Sequence, residues 1–171
     1  MSEHRHRVYL DTSSYLSLLL DEEAAVDLRS ELDVAEVLSS VLLIVEARRN
    51  LVRLAREGSV TREHYQAATE RVALDMRKLV LRDVTLDLCE PHPLPAVATP
   101  KSIDLIHLHT ALWFHRAEPV DRFLTMDAAQ RDAARELGLH VCVACPPVST
   151  CHAHLHARHL WATIRPSAPR N

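Results

Sequence analysis

A chain of 171 residues, 47% apolar and 25% charged, has a globular composition with room for one ordinary core and not for two. Its formal net charge is −3 although Arg158, Arg165 and Arg170 stand in an acid-free tail, which excludes a non-specific polyanion binder; nucleic acid would be handled only with the help of cations. No window reaches the roughly 18 consecutive apolar residues of a membrane span, and the opening MSEHRHR has no apolar leader, so a cytoplasmic protein with its four cysteines reduced is expected.

With only two glycines, turns must be made by Pro, Asp, Asn and Ser, and long helices should dominate. The run VYL at 8–10 predicts a strand that stops at Asp11, followed by a helix over 13–20 and a second from 22 to about 32. Asp33 to Val37 reads as a short strand. Ser39 and Ser40 form a cap signal before VLLIVEARRNLVRLAREG, a periodic helix closed by Gly58, and Thr61 opens the next helix with Glu63 in its first turn.

Residues 80–86 carry β-branched alternation and read as a strand, and CEPHPLPAVATP is a proline-punctuated loop. Ser102 caps IDLIHLHTALWFHRA, which ends at Glu118 and Pro119. A strand over 122–125, a helix from Asp127 to Leu137 closed by Gly138, and a last strand over 139–143 complete the pattern. Strands alternating with helices predict a parallel sheet covered on both faces.

Ligands of such sheets bind outside the carboxyl ends of the strands. Asp11 and Asp127 each follow a strand, and Asp104 lies in a first helical turn, which opens near the same rim. By itself Asp11 is explained as a helix cap. Glu46 is harder to explain, because it sits inside LLIVEA, where Leu42, Leu43, Val45 and Ala47 are expected to be buried. A carboxylate there costs several kcal/mol of desolvation unless it is paired or bound to a metal. Arg49 or Asn50, one turn on, is the bland partner.

Taken together, the four acids favour a shared site. Two unit charges about 4 Å apart repel by about 4 kcal/mol at an effective dielectric of about 20, so such a cluster calls for a cation. All-oxygen ligation selects Mg²⁺ or Mn²⁺, and the chemistry that follows is phosphodiester hydrolysis.

On these residues the sequence resembles the PIN-domain ribonucleases, most closely the VapC-type toxins of toxin–antitoxin pairs. YLDTSSYLSLLLDEE is similar to the family's opening strand with its first acid, and SSVLLIVEARRNLVRL to its second motif. SIDLIHLHTAL is similar to the third and FLTMDAAQRDAARELGLHV to the fourth. The resemblance spans residues 8 to about 143 and places Asp11, Glu46, Asp104 and Asp127 at the metal. It puts Thr12 or Ser13, and Thr125, where a hydroxyl orients metal water or phosphate. It implies a three-layer α/β/α sandwich, often a homodimer, whose groove acts on RNA and is blocked by a cognate antitoxin.

His107, three residues after Asp104, is within reach of the site as a base or ligand, with helix packing as the favoured role. Arg48 or Arg49 can clamp an RNA phosphate while the other faces solvent. The domain is expected to end at 144. Beyond it, a His-rich extension over 145–171 is read as partly helical or disordered. Zinc held by Cys142, Cys145 and tail ligands is the less favoured alternative, because a single C-x-x-C lacks its second pair. Two other functions stand beside the nuclease: a catalytically silent RNA- or protein-binding scaffold, which the four intact acids disfavour, and a phosphotransferase with Asp11 as nucleophile. The latter expects an acid where Ser13 stands.

Overall fold

The computed structural model describes residues 5–20, 26–89, 97 and 101–142. Strands β1 (Arg7–Leu10), β2 (Glu36–Ser40), β3 (Val80–Arg82), β4 (Arg122–Leu124) and β5 (Val141–Cys142) form one all-parallel sheet in the order β3-β2-β1-β4-β5. Successive side chains of a strand point to opposite faces, and here both faces are buried. Val8, Leu10, Val37 and Leu124 pack to one side, Tyr9, Leu38 and Phe123 to the other. This is why the strands read as continuous apolar runs rather than as alternation.

Helices α1 (Thr12–Leu19), α2 (Val26–Leu32), α3 (Leu42–Arg56) and α4 (Arg62–Asp75) cover the first face, sending in Tyr15, Leu28, Leu43, Ala47, Leu51 and Val72. The short α5 (Leu86–Cys89) leads toward α6 (Ser102–Ala117), which with α7 (Ala128–Glu136) covers the second face through Leu108, Ala111, Phe114, Ala133 and Ala134. The fold is therefore a three-layer α/β/α sandwich. On its second face Tyr9 stacks on Phe123, with ring centroids 5.2 Å apart and planes at 4°.

The chain steps outward from β1 to β2 to β3, then returns to the other side of β1 as β4. Strand order thus reverses between β1 and β4, and a crevice opens above their carboxyl ends. The opposite rim is closed by charge. Buried Arg7 pairs with Glu36 at 2.8 Å and donates to the carbonyls of Glu118 and Pro119, joining β1, β2 and the turn before β4.

Several boundaries differ from the sequence reading. Ser39 and Ser40 end β2: Ser39 Oγ donates to the Leu10 carbonyl at 2.6 Å, while Ser40 Oγ still accepts from Leu42 N, the first residue of α3, at 3.3 Å, although the N-cap position itself is Val41, which has no side-chain bond. Ser102 is the first residue of α6, whose N-cap is Lys101, again without a side-chain cap. The second strand lies at 36–40 rather than 33–37, and Val45 is 63% exposed rather than core. Thr61 does cap α4, accepting from His64 N at 3.2 Å. The tail, Cys145, most of the 91–100 loop and the 21–25 segment lie outside the described residues.

Gly58 and Gly138 close α3 and α7 at φ +70° and +79°. A Cβ at either meets nothing within 4 Å, so the cost of a side chain is purely one of backbone conformation. Gly138→Ala should destabilise by about 1–2 kcal/mol in urea unfolding; a neutral effect would contradict the left-handed closure of α7.

Candidate active site

Asp11 ends β1 and, at 3% exposure, is almost fully buried. Its Oδ1 caps α1, accepting from Ser14 N at 3.0 Å and from Ser13 Oγ at 2.7 Å. Its Oδ2 accepts from Thr125 Oγ1 at 2.8 Å, across to the end of β4. Asp127 repeats the device. One carboxylate oxygen caps α7, accepting from Ala129 N at 2.8 Å and Gln130 N at 3.1 Å, while Oδ2 faces the crevice 3.7 Å from Lys101 Nζ. Each strand-end acid spends one oxygen on a helix terminus, where a carboxylate is favoured, and turns the other to a neighbouring element, Thr125 for Asp11 and Lys101 for Asp127.

Asp104 lies in the first turn of α6 and is 9% exposed. Its Oδ2 is buried without a hydrogen bond, and the nearest cation, Lys101 Nζ, is 4.0 Å away. Burial pushes its carboxyl above the usual range; Lys101 opposes this, and the charges of Asp127, Asp11 and Glu46 add to it. The other three acids thus all act on Asp104.

Glu46 lies one helical turn into α3, and its partners are neither Arg49 nor Asn50. Asn50 donates to the Glu46 backbone carbonyl at 2.9 Å, and Arg48 and Arg49 are both exposed. The carboxylate instead accepts from Thr12 Oγ1 at 2.5 Å and pairs with His107 Nε2 at 2.9 Å. Burial works against its charge, but the bonds from His107 and Thr12, with the charges of His107 and Lys101, outweigh it and hold its carboxyl below the usual range.

His107 is buried on α6, with Nδ1 2.9 Å from Tyr9 OH and Nε2 3.2 Å from Thr12 Oγ1. Its two ring nitrogens link Tyr9 in the core to Thr12 and Glu46 at the strand ends. The packing role favoured from sequence is thus joined by a polar one, since His107 fixes the Glu46 carboxylate from the core.

Thr125 has one hydroxyl proton and two acceptors, Asp11 Oδ2 at 2.8 Å and Gln130 Oε1 at 3.0 Å. Gln130 Nε2 is turned to the Asp104 carbonyl at 3.5 Å, so its Oε1 faces Thr125. Burial pushes the Asp11 carboxyl up, against the bonds from Ser14 and Ser13, the charge of His107 and the bond from Thr125. Thr125 Oγ1 also accepts from Asp127 N at 3.1 Å, so it joins the ends of β1 and β4 to the start of α7.

The structure thus assembles Asp11, Asp104, Asp127, Glu46, Thr12, Ser13, Thr125 and His107 around the switch-point crevice. Arg49 is exposed on α3, one turn beyond Glu46. The sequence reading missed Lys101, Gln130 and Tyr9; the signals were a cation three residues before Asp104 and a Gln three after Asp127.

No family model matches the chain, and no curated protein matches it. Among solved structures it is similar to a domain of a functionally unknown protein from Methanocaldococcus jannaschii DSM 2661. The two are 16% identical, with 88% of this chain and 99% of that chain covered and a TM-score of 0.46.

The residues present fit a hard divalent cation on one observation, the buried Asp104 Oδ2, which has no hydrogen bond and on which the charges of the other three acids act. Among the described residues, no three His, Cys, Asp or Glu side chains stand ready-made as a metal-holding group. Most of the oxygens have protein partners, Asp11 with hydroxyls, Glu46 with Thr12 and His107, and Asp127 with the Lys101 ammonium, while Asp104 Oδ2 has no hydrogen bond and only the Lys101 charge 4.0 Å away. No described helix is long and apolar enough to cross a membrane.

Proposed function

We propose that this chain is a Mg²⁺- or Mn²⁺-dependent endoribonuclease of the PIN type, acting as the toxin of a toxin–antitoxin pair in the cytoplasm. The observation that carries the reading is the meeting of four acids at the switch point, with one buried Asp104 oxygen left unbonded. Asp11, Asp104 and Asp127 would hold the cation, with Glu46 completing the set. When bound, the cation supplies a water of lowered pKa and neutralises charge growing on the phosphate and leaving oxygen. Thr125 and Ser13 orient Asp11, His107 and Thr12 orient Glu46, and the exposed Arg49 is placed to take an RNA phosphate. The antitoxin and a homodimer follow from the sequence resemblance alone and belong to the same proposal.

The test is cleavage of total RNA with the ends mapped. Activity should require Mg²⁺ or Mn²⁺ and vanish in excess chelator. Asp104→Asn or Glu46→Gln should lower it by at least about 100-fold, the upper end of what is lost when only an outer partner of a metal ligand is removed. Equal cleavage by wild type and both variants would sink the enzymatic reading.

A second reading, a silent RNA- or protein-binding scaffold, draws on the absence of a ready-made metal group among the described residues and on the capping duties of Asp11 and Asp127. Metal-independent RNA binding without cleavage would favour it. The nucleophilic-aspartate reading loses ground, since Ser13 Oγ is engaged with Asp11 and with Met126 N at 2.8 Å.

A further inference from the structure

Lys101 breaks a local rule. It is the N-cap of α6, where a side-chain acceptor is favoured and a cation faces the positive end of the helix dipole, and it makes no cap bond. Residues that contradict their local setting are candidates for function, and the Lys101 side chain is 66% exposed. Its ammonium stands 4.0 Å from Asp104 Oδ2 and 3.7 Å from Asp127 Oδ2, joining the start of α6 to the start of α7. Its charge also acts on Glu46, so it is felt by three of the four acids.

We propose that Lys101 is a built-in counterion of the acidic crevice, which holds Asp104 and Asp127 together before the divalent cation enters and must be displaced when it does. The proposal rests on the metal-site reading above and adds a regulation of that site. Lys101 offsets the charge of Asp104, Asp127 and Glu46 without metal and weakens metal affinity by competing for the Asp104 and Asp127 oxygens. The long, exposed side chain can swing out without moving the backbone, which leaves the ammonium at the mouth of the crevice, where a substrate phosphate would arrive. Metal entry and polyanion binding would then favour one another, because the cation takes over the two acids and the phosphate takes over the ammonium they release.

The experiment is calorimetric titration of Mn²⁺ into the metal-free full-length protein. Lys101→Met should bind Mn²⁺ about two- to fivefold more tightly than wild type, the worth of one partly exposed ion pair. Lys101→Arg keeps the charge and should stay near wild type. Arg116→Met, which removes a charge from the far end of α6, should leave affinity unchanged. A merely structural lysine would leave affinity unchanged or weaken it on removal, and either result overturns the proposal. Equal tightening by Arg116→Met also overturns it, since the effect would then be one of net charge. If neither wild type nor Lys101→Met binds Mn²⁺, the metal-site reading fails and takes the proposal with it. Binding by both with equal affinity removes only the role of Lys101.

Discussion

Asp11→Asn should abolish RNA cleavage and at the same time raise the melting temperature of the metal-free protein. The two effects have opposite signs because the carboxylate serves the site at the expense of the fold. Asn keeps the N-cap of α1, with its oxygen accepting from Ser14 N as Asp11 Oδ1 does. Its amide can donate to Thr125 Oγ1, which frees the Thr125 proton for Gln130. The substitution removes a buried charge and completes the hydrogen bonds that the ionised carboxylate leaves short.

Linkage makes this testable by pH. Burial raises the carboxyls of Asp11 and Asp104, so the folded state holds more protons than the unfolded state above the ordinary aspartate range. Their contribution to stability is greatest below that range and is lost as pH rises through the raised values. Glu46 is shifted the other way, and its contribution is lost only as pH falls below the usual glutamate range. Above that range, the metal-free wild type should therefore lose stability as pH rises, and Asp11→Asn should lose less. Saturating Mn²⁺ should remove the difference by mass action on the folded state. A melting temperature lowered by Asp11→Asn at neutral pH would contradict the burial cost assigned to the Asp11 carboxylate.

His107→Phe should lower cleavage by about 10–100-fold while leaving a folded protein, the range for losing a group that orients a metal ligand. The ring is buried and takes part in three polar contacts, with Tyr9 OH, Thr12 Oγ1 and Glu46. Its removal leaves Tyr9 OH and one side of Glu46 short of partners, at a cost of about 1–3 kcal/mol. A double-mutant cycle with Glu46→Gln separates the roles. If His107 acts through Glu46, the two losses of rate will not add; full additivity would mean that His107 acts elsewhere.

The strand ends were legible in the sequence for a simple reason. VYLD and FLTMD are apolar runs that each stop at an acid, and strands buried on both faces leave such runs uninterrupted. Two of the four acids follow from that pattern, and Asp104 from its place in a first helical turn. Glu46 was legible as an anomaly, but its partners were not. Reasoning along a helix offers Arg49 and Asn50, whereas the true partners are Thr12 and His107, 34 and 61 residues away. Only the tertiary fold brings α1, α3 and α6 to one crevice.

The cap signal of Ser39 and Ser40 holds only in part: the strand-to-helix turn is so short that both finish β2, and only Ser40 also reaches the first N–H of α3. Lys101 went unnoticed for a related reason. At the end of a proline-rich loop it reads as solvent-facing charge, and its significance lies in the distance to Asp127 on a different helix.

The most direct test of the central claim, that these acids form a divalent-cation centre, is anomalous diffraction from crystals soaked in Mn²⁺. The account predicts a peak at the switch-point crevice, about 2.0–2.3 Å from carboxylate oxygens of Asp11, Asp104 and Asp127, with the Lys101 ammonium moved away from Asp104. A crevice free of anomalous signal at saturating Mn²⁺, with Lys101 still between Asp104 and Asp127, would contradict it.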